Sequence, residues 1–237
     1  MKKVLVVGAS SGMGRELALK FAENRFLVGI TGRRKSLLKE IQSLHPNVIC
    51  LRSFDCRKMN NSFEMGQLKD EMKGFDLLVL CAGHGEINKS LDFELEKDTN
   101  TLNVQAFTEI SVWAFNYFVQ QGGGHLIVIT SIAGLRGGRV APAYNASKAY
   151  QIHYLEGLRQ RAGRLKLPIH ITDIRPGFVD TAMAKGGRRF WVVSKEKATR
   201  QIYKHILRKT EIAYISKRWR LIAWLFKLLP ATFYKKF

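Results

Sequence analysis

Tyr144 and Lys148 stand four residues apart, a spacing that puts a phenol and an ammonium on one face of any helix containing them. A phenol with a pKa of about 10 is a poor base at neutral pH. A positive charge one turn away favours the phenolate. The pair can then give a proton to a carbonyl oxygen or take one from an alcohol. Ser131, at the end of the apolar run His125–Ser131, is a donor for the same oxygen and can stabilise negative charge developing there. Taken alone, Tyr-x-x-x-Lys is read more simply as a solvated helix face. Its company decides.

That company begins with Val7-Gly8-Ala9-Ser10-Ser11-Gly12-Met13-Gly14, which follows the first apolar run and opens the first amphipathic one. Gly8 suits the tight turn, Gly12 a close backbone approach to a pyrophosphate, and Gly14 close helix–strand packing. The helix start adds free N–H groups and partial positive charge. A dinucleotide is therefore expected against Gly8, Ser10, Ser11, Gly12, Met13, Gly14 and Arg15. The second strand ends Thr31-Gly32-Arg33-Arg34, with no acid to pair with the ribose hydroxyls. Arg33, helped by Arg15, is placed to take a 2′-phosphate in its guanidinium fork, which predicts NADP(H) over NAD(H). The alternative is two surface arginines among many.

These groups need a scaffold. Val4–Val7, Phe26–Thr31, Val48–Ser53, Asp76–Cys81, His125–Ser131, Ile169–Arg175 and Glu211–Ser216 read as strands. Met13–Asn24, Lys35–Leu44, Ser62–Lys73, Thr99–Gln121, Ala143–Leu165 and Glu196–Arg208 read as helices. The alternation predicts an α/β fold: a single Rossmann-type, doubly wound parallel sheet of about seven strands with helices on both faces. Gly122-Gly123-Gly124 reads as a helix stop ahead of a strand.

In this order the motifs resemble those of the short-chain dehydrogenase/reductase family, in its short single-domain branch, from Lys2 to about Thr181. The resemblance implies that Asp55 lies against the adenine ring. It matches Ala82-Gly83 to the end of an Asn-Asn-Ala-Gly motif and assigns Pro176, Gly177 and Thr181 to the nicotinamide side. It makes Asn103, Ser131, Tyr144 and Lys148 the catalytic set, with Asn103 holding a water that leads to Lys148 and Lys148 also binding the nicotinamide ribose. It also implies a homodimer or homotetramer. Val7, in place of a Thr, and Leu80-Cys81, in place of two Asn, depart from the pattern but remove no catalytic group. The expected activity is hydride transfer between nicotinamide and a carbonyl or secondary alcohol of an apolar, lipid-like substrate. The alternative is a non-catalytic dinucleotide-sensing protein, which would have no need of the tetrad.

The chain has 237 residues, 46% of them hydrophobic, which excludes disorder and a disulfide scaffold. Its net charge of +20 is uneven: residues 185–237 hold fifteen basic and two acidic side chains. Residues 1–216 are expected to form the reductase domain, with a substrate loop over 178–195 and a lid at 186–193; residues 217–237 form a basic amphipathic tail. In that tail Leu221, Ile222, Leu225, Leu228 and Leu229 share one helical arc, with Trp224 at its border and Pro230 ending the helix. The tail reads either as an interfacial helix on an anionic membrane or as a helix docked on the enzyme or a partner. Nucleic acid is disfavoured because no reading module is present. His84 reads as a loop residue with a solvent or backbone partner. Cys50, Cys56 and Cys81 lack metal-ligand spacing and read as small buried residues, so no metal is expected. No signal-peptide pattern or apolar run of spanning length is found. The expectation is a cytoplasmic chain, with membrane attachment on the cytoplasmic face as the tail's variant.

Overall fold

Apolar runs too short for helices, separated by amphipathic segments, build one sheet of seven parallel strands in the computed structural model, which describes residues 1–181 and 190–235. The strands are β1 (Lys3–Val7), β2 (Leu27–Gly32), β3 (Val48–Ser53), β4 (Leu77–Leu80), β5 (Gly124–Ile129), β6 (Ile169–Pro176) and β7 (Ile212–Ile215). They lie in the order β3-β2-β1-β4-β5-β6-β7. The order reverses between β1 and β4, so the chain leaves their carboxyl ends in opposite directions and a crevice opens there. Helices α1 (Gly12–Glu23), α2 (Lys35–Leu44) and α7 (Lys195–Leu207) cover one face, where Leu17, Phe21, Ile41 and Ile202 meet Val4, Val6 and Ile30. The other face is covered by α3 (Asn61–Glu71), α5 (Phe107–Gln120) and α6 (Pro142–Leu165), where Met65, Ile110, Phe118 and Leu155 meet Leu5, Leu78 and Leu126. Burial on both faces explains why Leu77–Leu80 is continuously apolar. At the end of α5, Gly122 and Gly123 adopt φ of +82° and +156°, conformations that stop the helix before β5.

The single helix expected over Thr99–Gln121 is a correction. The chain instead forms α4 (Phe93–Asn100), a π-helical segment (Thr101–Ala106) and then α5. The helix begins early because the Asp92 carboxylate accepts from the Glu94 N–H at 2.9 Å. The wider turn follows because Asn103 must face inward: it is fully buried and all its amide groups are engaged there. One extra residue per turn lets Asn103 and the apolar start of α5 point the same way. Such insertions are frequent at functional sites.

The tail also differs from its expected arc. In α8 (Trp219–Leu228) the docked residues are Trp219 and Ala223, one turn apart, while Leu221, Trp224, Leu225 and Leu228 are exposed and Ile222 is half-buried. Leu229 lies at the C-cap, outside the helix, and its carbonyl accepts from Arg136 Nη2 at 2.5 Å. In α9 (Ala231–Tyr234), Tyr234 Oη donates to the Gly137 carbonyl at 2.6 Å. Docking against the enzyme and an outward apolar face therefore coexist on one helix. Of the lid expected at 186–193, residues 186–189 lie outside the described residues; in the other half Phe190, Trp191 and Val192 are exposed and Val193 forms a β-bridge with Val179. Among the described residues, no helix is long and apolar enough to cross a membrane.

Candidate active site

The glycine turn lies across the carboxyl end of β4. Cys81 and Ala82 both donate their N–H groups to the Val7 carbonyl, and Gly8 and Ala9 donate to Thr31. Gly8 has φ +86°, and a Cβ there would stand 2.6 Å from the Ala82 nitrogen, so neither conformation nor space admits another residue. A Cβ on Gly14 would collide with the Gly8 carbonyl. Gly12, at φ +58°, faces Thr181, whose Cγ2 would stand 3.8 Å from a Cβ built there. The turn and the Pro176–Thr181 segment thus approach each other across the crevice. Ser11 is the N-cap of α1, yet its hydroxyl does not bond to the helix; it accepts from Arg34 Nη2 at 2.7 Å, and Ser10 Oγ accepts at 3.0 Å. An open helix start without acidic residues in its first turn, over a cradle that a Cβ would fill, fits a dinucleotide pyrophosphate.

The arginines differ from expectation in detail. Arg15 is tied to Glu40 at 3.0 Å and Glu16 at 3.6 Å, and Arg33 lies 3.8 Å from Asp55. Arg34 is the one that reaches the turn. Asp55, at the end of β3, accepts from the Arg57 N–H at 3.0 Å.

Across the crevice, α6 carries Tyr144 and Lys148 beside Ser131, which follows β5. Asn145 joins the two parts: its Nδ2 donates to the carbonyls of Ala133 (2.8 Å) and Arg136 (2.9 Å), fixing the Ser131 turn against the helix. At the helix start, Glu96 accepts from the Ala143 N–H at 2.8 Å. The Tyr144 ring packs on Gly85, where a Cβ would overlap it. Burial raises the Tyr144 phenol above its ordinary value, and the nearby Ser131 hydroxyl pulls it back. Lys148 is 4% exposed, its ammonium 5.9 Å from the centre of the Tyr144 ring. Burial lowers its pKa to about 8, against the opposing pull of Asp173 and Cys81. Asp173 itself is bound by Thr130 Oγ1 and Arg175 Nε.

Asn103 acts on the loop opposite. Its Oδ1 accepts from the His84 N–H at 2.9 Å, and its Nδ2 donates to the His84 carbonyl at 2.6 Å and to Ser147 Oγ at 3.0 Å. The Asn103 side chain thus pins Ala82–Gly85, and with it the surface under Tyr144. Its backbone carbonyl accepts from Gln151 Nε2 at 2.8 Å, while Gln151 Oε1 accepts from Lys148 Nζ at 2.9 Å. Gln151 thus bridges the Asn103 carbonyl and the Lys148 ammonium. Sequence reasoning missed Gln151, although positions 144, 148 and 151 share one helix face. It also missed Trp219, whose indole lies against Gly177 and packs with Phe178, Phe190 and Trp191.

The His84 backbone is held by the Asn103 side chain, whereas its imidazole, expected to have a solvent or backbone partner, faces carboxylates: Nε2 lies 3.3 Å from Asp98 and 3.8 Å from Glu86. Burial pushes the Cys56 and Cys81 thiols up to about 12 and raises Cys50 as well. These are unreactive thiols. Among the described residues no cluster of three or more His, Cys, Asp or Glu could hold a metal.

A doubly wound sheet with a glycine turn at its switch point, facing a Ser–Tyr–Lys set, defines a dinucleotide-fold oxidoreductase. The short chain dehydrogenase family matches residues 2–190, and the chain belongs to that family. It is 31% identical over 192 residues to an uncharacterized oxidoreductase of Mycobacterium tuberculosis, covering 77% of this chain and 75% of the other. It is 28% identical over 204 residues to 11-beta-hydroxysteroid dehydrogenase 1A of Arabidopsis thaliana, covering 78% of this chain and 54% of that one. The closed form of serine dehydrogenase complexed with NADP+ shares the fold at 22% identity, with a TM-score of 0.77 over 90% of this chain and 93% of that one.

Proposed function

We propose that the protein is an NADP(H)-dependent reductase/dehydrogenase that interconverts a carbonyl and a secondary alcohol on an apolar, lipid-like substrate. The observation that carries this reading is Tyr144, held between Ser131, Lys148 and the Gly85 backbone at the crevice mouth. When bound, a reduced nicotinamide would supply the hydride for the carbonyl carbon. Ser131 donates a hydrogen bond to the carbonyl oxygen, and Tyr144 delivers the proton that makes it a hydroxyl. Lys148 stabilises the phenolate left behind and holds the ribose. Gly8, Ser10, Ser11, Gly12, Met13 and Gly14 receive the pyrophosphate, Asp55 and Ala82-Gly83 border the adenosine half, and Pro176, Gly177 and Thr181 border the nicotinamide. Arg34, with Arg33 and Arg15 beyond it, supports NADP(H). A relative named as a hydroxysteroid dehydrogenase and the aromatic group around Trp219 support an apolar substrate.

Val112 and Tyr150, exposed on α5 and α6, support a homo-oligomer through that face. The outer face of α8 supports attachment to an anionic membrane from the cytoplasmic side. The test of the activity is NADPH oxidation by the full chain against a panel of carbonyls that includes lipidic ketones. Wild type should turn over at least one of them, and Tyr144→Phe should lose about a hundredfold or more of that rate. Turnover no greater than that of Tyr144→Phe on every compound would leave a dinucleotide-sensing protein instead.

A further inference from the structure

We infer that Gln151 is a positioning residue for Lys148, locking its ammonium in place and linking it to the Asn103 carbonyl. Gln151 is 1% exposed and lies one turn beyond Lys148 on α6. The orientation of its amide follows from chemistry. The Asn103 carbonyl can only accept, so it must meet Nε2; an ammonium can only donate, so it must meet Oε1. A flipped amide would set oxygen against oxygen and N–H against N–H. Both bonds are made, at 2.8 and 2.9 Å, and the Ile129 carbonyl accepts a second ammonium proton at 3.1 Å. Two of the three ammonium donors are thus fixed against the scaffold. One is left for the crevice, where a ribose hydroxyl would stand.

An amide neither gives nor takes a proton near neutral pH. The link through Gln151 therefore holds charge and direction, and carries no protons to Asn103. Proton exchange at Lys148 must run through its free donor on the crevice side. The amide oxygen also favours the charged form, because a hydrogen bond from an ammonium is stronger than one from an amine. The other titratable groups facing Lys148 are Asp173 from β6, Cys81 beyond β4 and Tyr144 on its own helix. Asp173 is bound by Thr130 and Arg175, and Cys81 is a neutral thiol. Gln151 is the neighbour whose replacement changes the charge balance at Lys148 while leaving Asp173, Cys81 and Tyr144 in place, at the cost of its own bond to the Asn103 carbonyl.

The meaning for catalysis rests on the proposed function, but the test has a readout independent of it. Lysines of the full chain are labelled with ¹³C at Cε, Lys148 is assigned by its loss in Lys148→Met, and its midpoint is followed by NMR across the neutral-to-alkaline range. Gln151→Met keeps the volume and removes the acceptor, so the midpoint should fall by about one unit. Gln151→Glu adds a carboxylate, so it should rise by about as much. Opposite displacements are something a packing disturbance does not produce. Unchanged midpoints, or shifts of the same sign in both variants, would overturn the inference. Should Gln151→Met fail to fold by circular dichroism, the upward shift in Gln151→Glu decides alone. NADPH binding, read by quenching of tryptophan fluorescence, should be lost at lower pH in Gln151→Met than in wild type. If wild type binds no NADPH at any pH, the cofactor reading fails while the Lys148 midpoint still decides the role of Gln151.

Discussion

The three arginines around the glycine turn differ in what they already hold. Arg15 is paired with Glu40 and Arg33 stands near Asp55, whereas Arg34 has no carboxylate partner among the described residues and sits on two serine hydroxyls. A guanidinium in that state is ready for a phosphate monoester, which would replace neutral acceptors with charged ones. Arg34→Ala is therefore expected to weaken NADPH binding by about ten- to a hundredfold. NADH should change by less than about twofold. Arg33→Ala, which removes an exposed side chain already facing a carboxylate, should cost NADPH less. Fluorescence titration of both cofactors measures each, and equal losses for NADPH and NADH in Arg34→Ala would remove the 2′-phosphate from this arginine. The missing acid and the paired arginines were legible at the end of β2. Which arginine turns inward was not, because the choice depends on where the strand ends and on Asp55, a residue brought alongside by β3. Gln151 was hidden for a similar reason: its partners are 48 residues away and three residues away, and only the fold joins them.

Elements carry their own consequences. β5 and β6 pair in a register that sets His125 beside His170, with His125 Nε2 2.8 Å from Thr172 Oγ1. Burial, with His170 next, depresses His125 to about 3 from an ordinary 6.5. The folded state therefore refuses a proton that the unfolded chain takes up as pH falls below 6.5. Stability is full above that value and declines through the window down to about 3. At pH 5 the loss is on the order of 2 kcal/mol. Urea unfolding at pH 7 and pH 5 should show that drop in wild type, and His125→Gln, which keeps a hydrogen-bonding side chain, should flatten it. The same drop in both proteins would place the acid sensitivity elsewhere. The strand itself was readable from its apolar run, as was α6 from its spacing. The π-helical segment was not, because no local pattern distinguishes it: the extra residue is imposed by Asn103 meeting His84 and Ser147 from other elements. The start of α4 could have been found in Asp92, an N-cap residue followed by acids in the first turn.

At the scale of the whole molecule the net charge of +20 divides into +7 over residues 1–184 and +13 over the remainder. Within the second part, α8 lies beside the crevice, seated on Gly177 through Trp219. Leu221, Trp224, Leu225 and Leu228 of α8 are 64%, 60%, 49% and 58% exposed, and Phe233 of α9 is 58% exposed. Lys217, Arg218, Arg220 and Lys235 are exposed on the same segment, and the sequence from 217 to 237 contains no acidic residue. Two copies joined through this face would set like charges together, whereas an anionic bilayer would attract each basic residue by about 1 kcal/mol and receive the apolar side chains. The charge favours the proposed membrane attachment over self-association, and the docked edge explains why both alternatives could be read from one tail. In flotation, the full chain should rise with vesicles of phosphatidylglycerol and phosphatidylcholine, lose binding as salt is raised, and bind phosphatidylcholine alone weakly. Replacing Leu221, Trp224 and Leu225 by serine alters only exposed positions, so folding and NADPH binding should be kept while vesicle affinity falls at least about tenfold. Undiminished flotation of that variant would reduce the attachment to charge alone. Absence of flotation in wild type, with a dimer that the three serines dissolve, would assign the face to a second copy despite its charge.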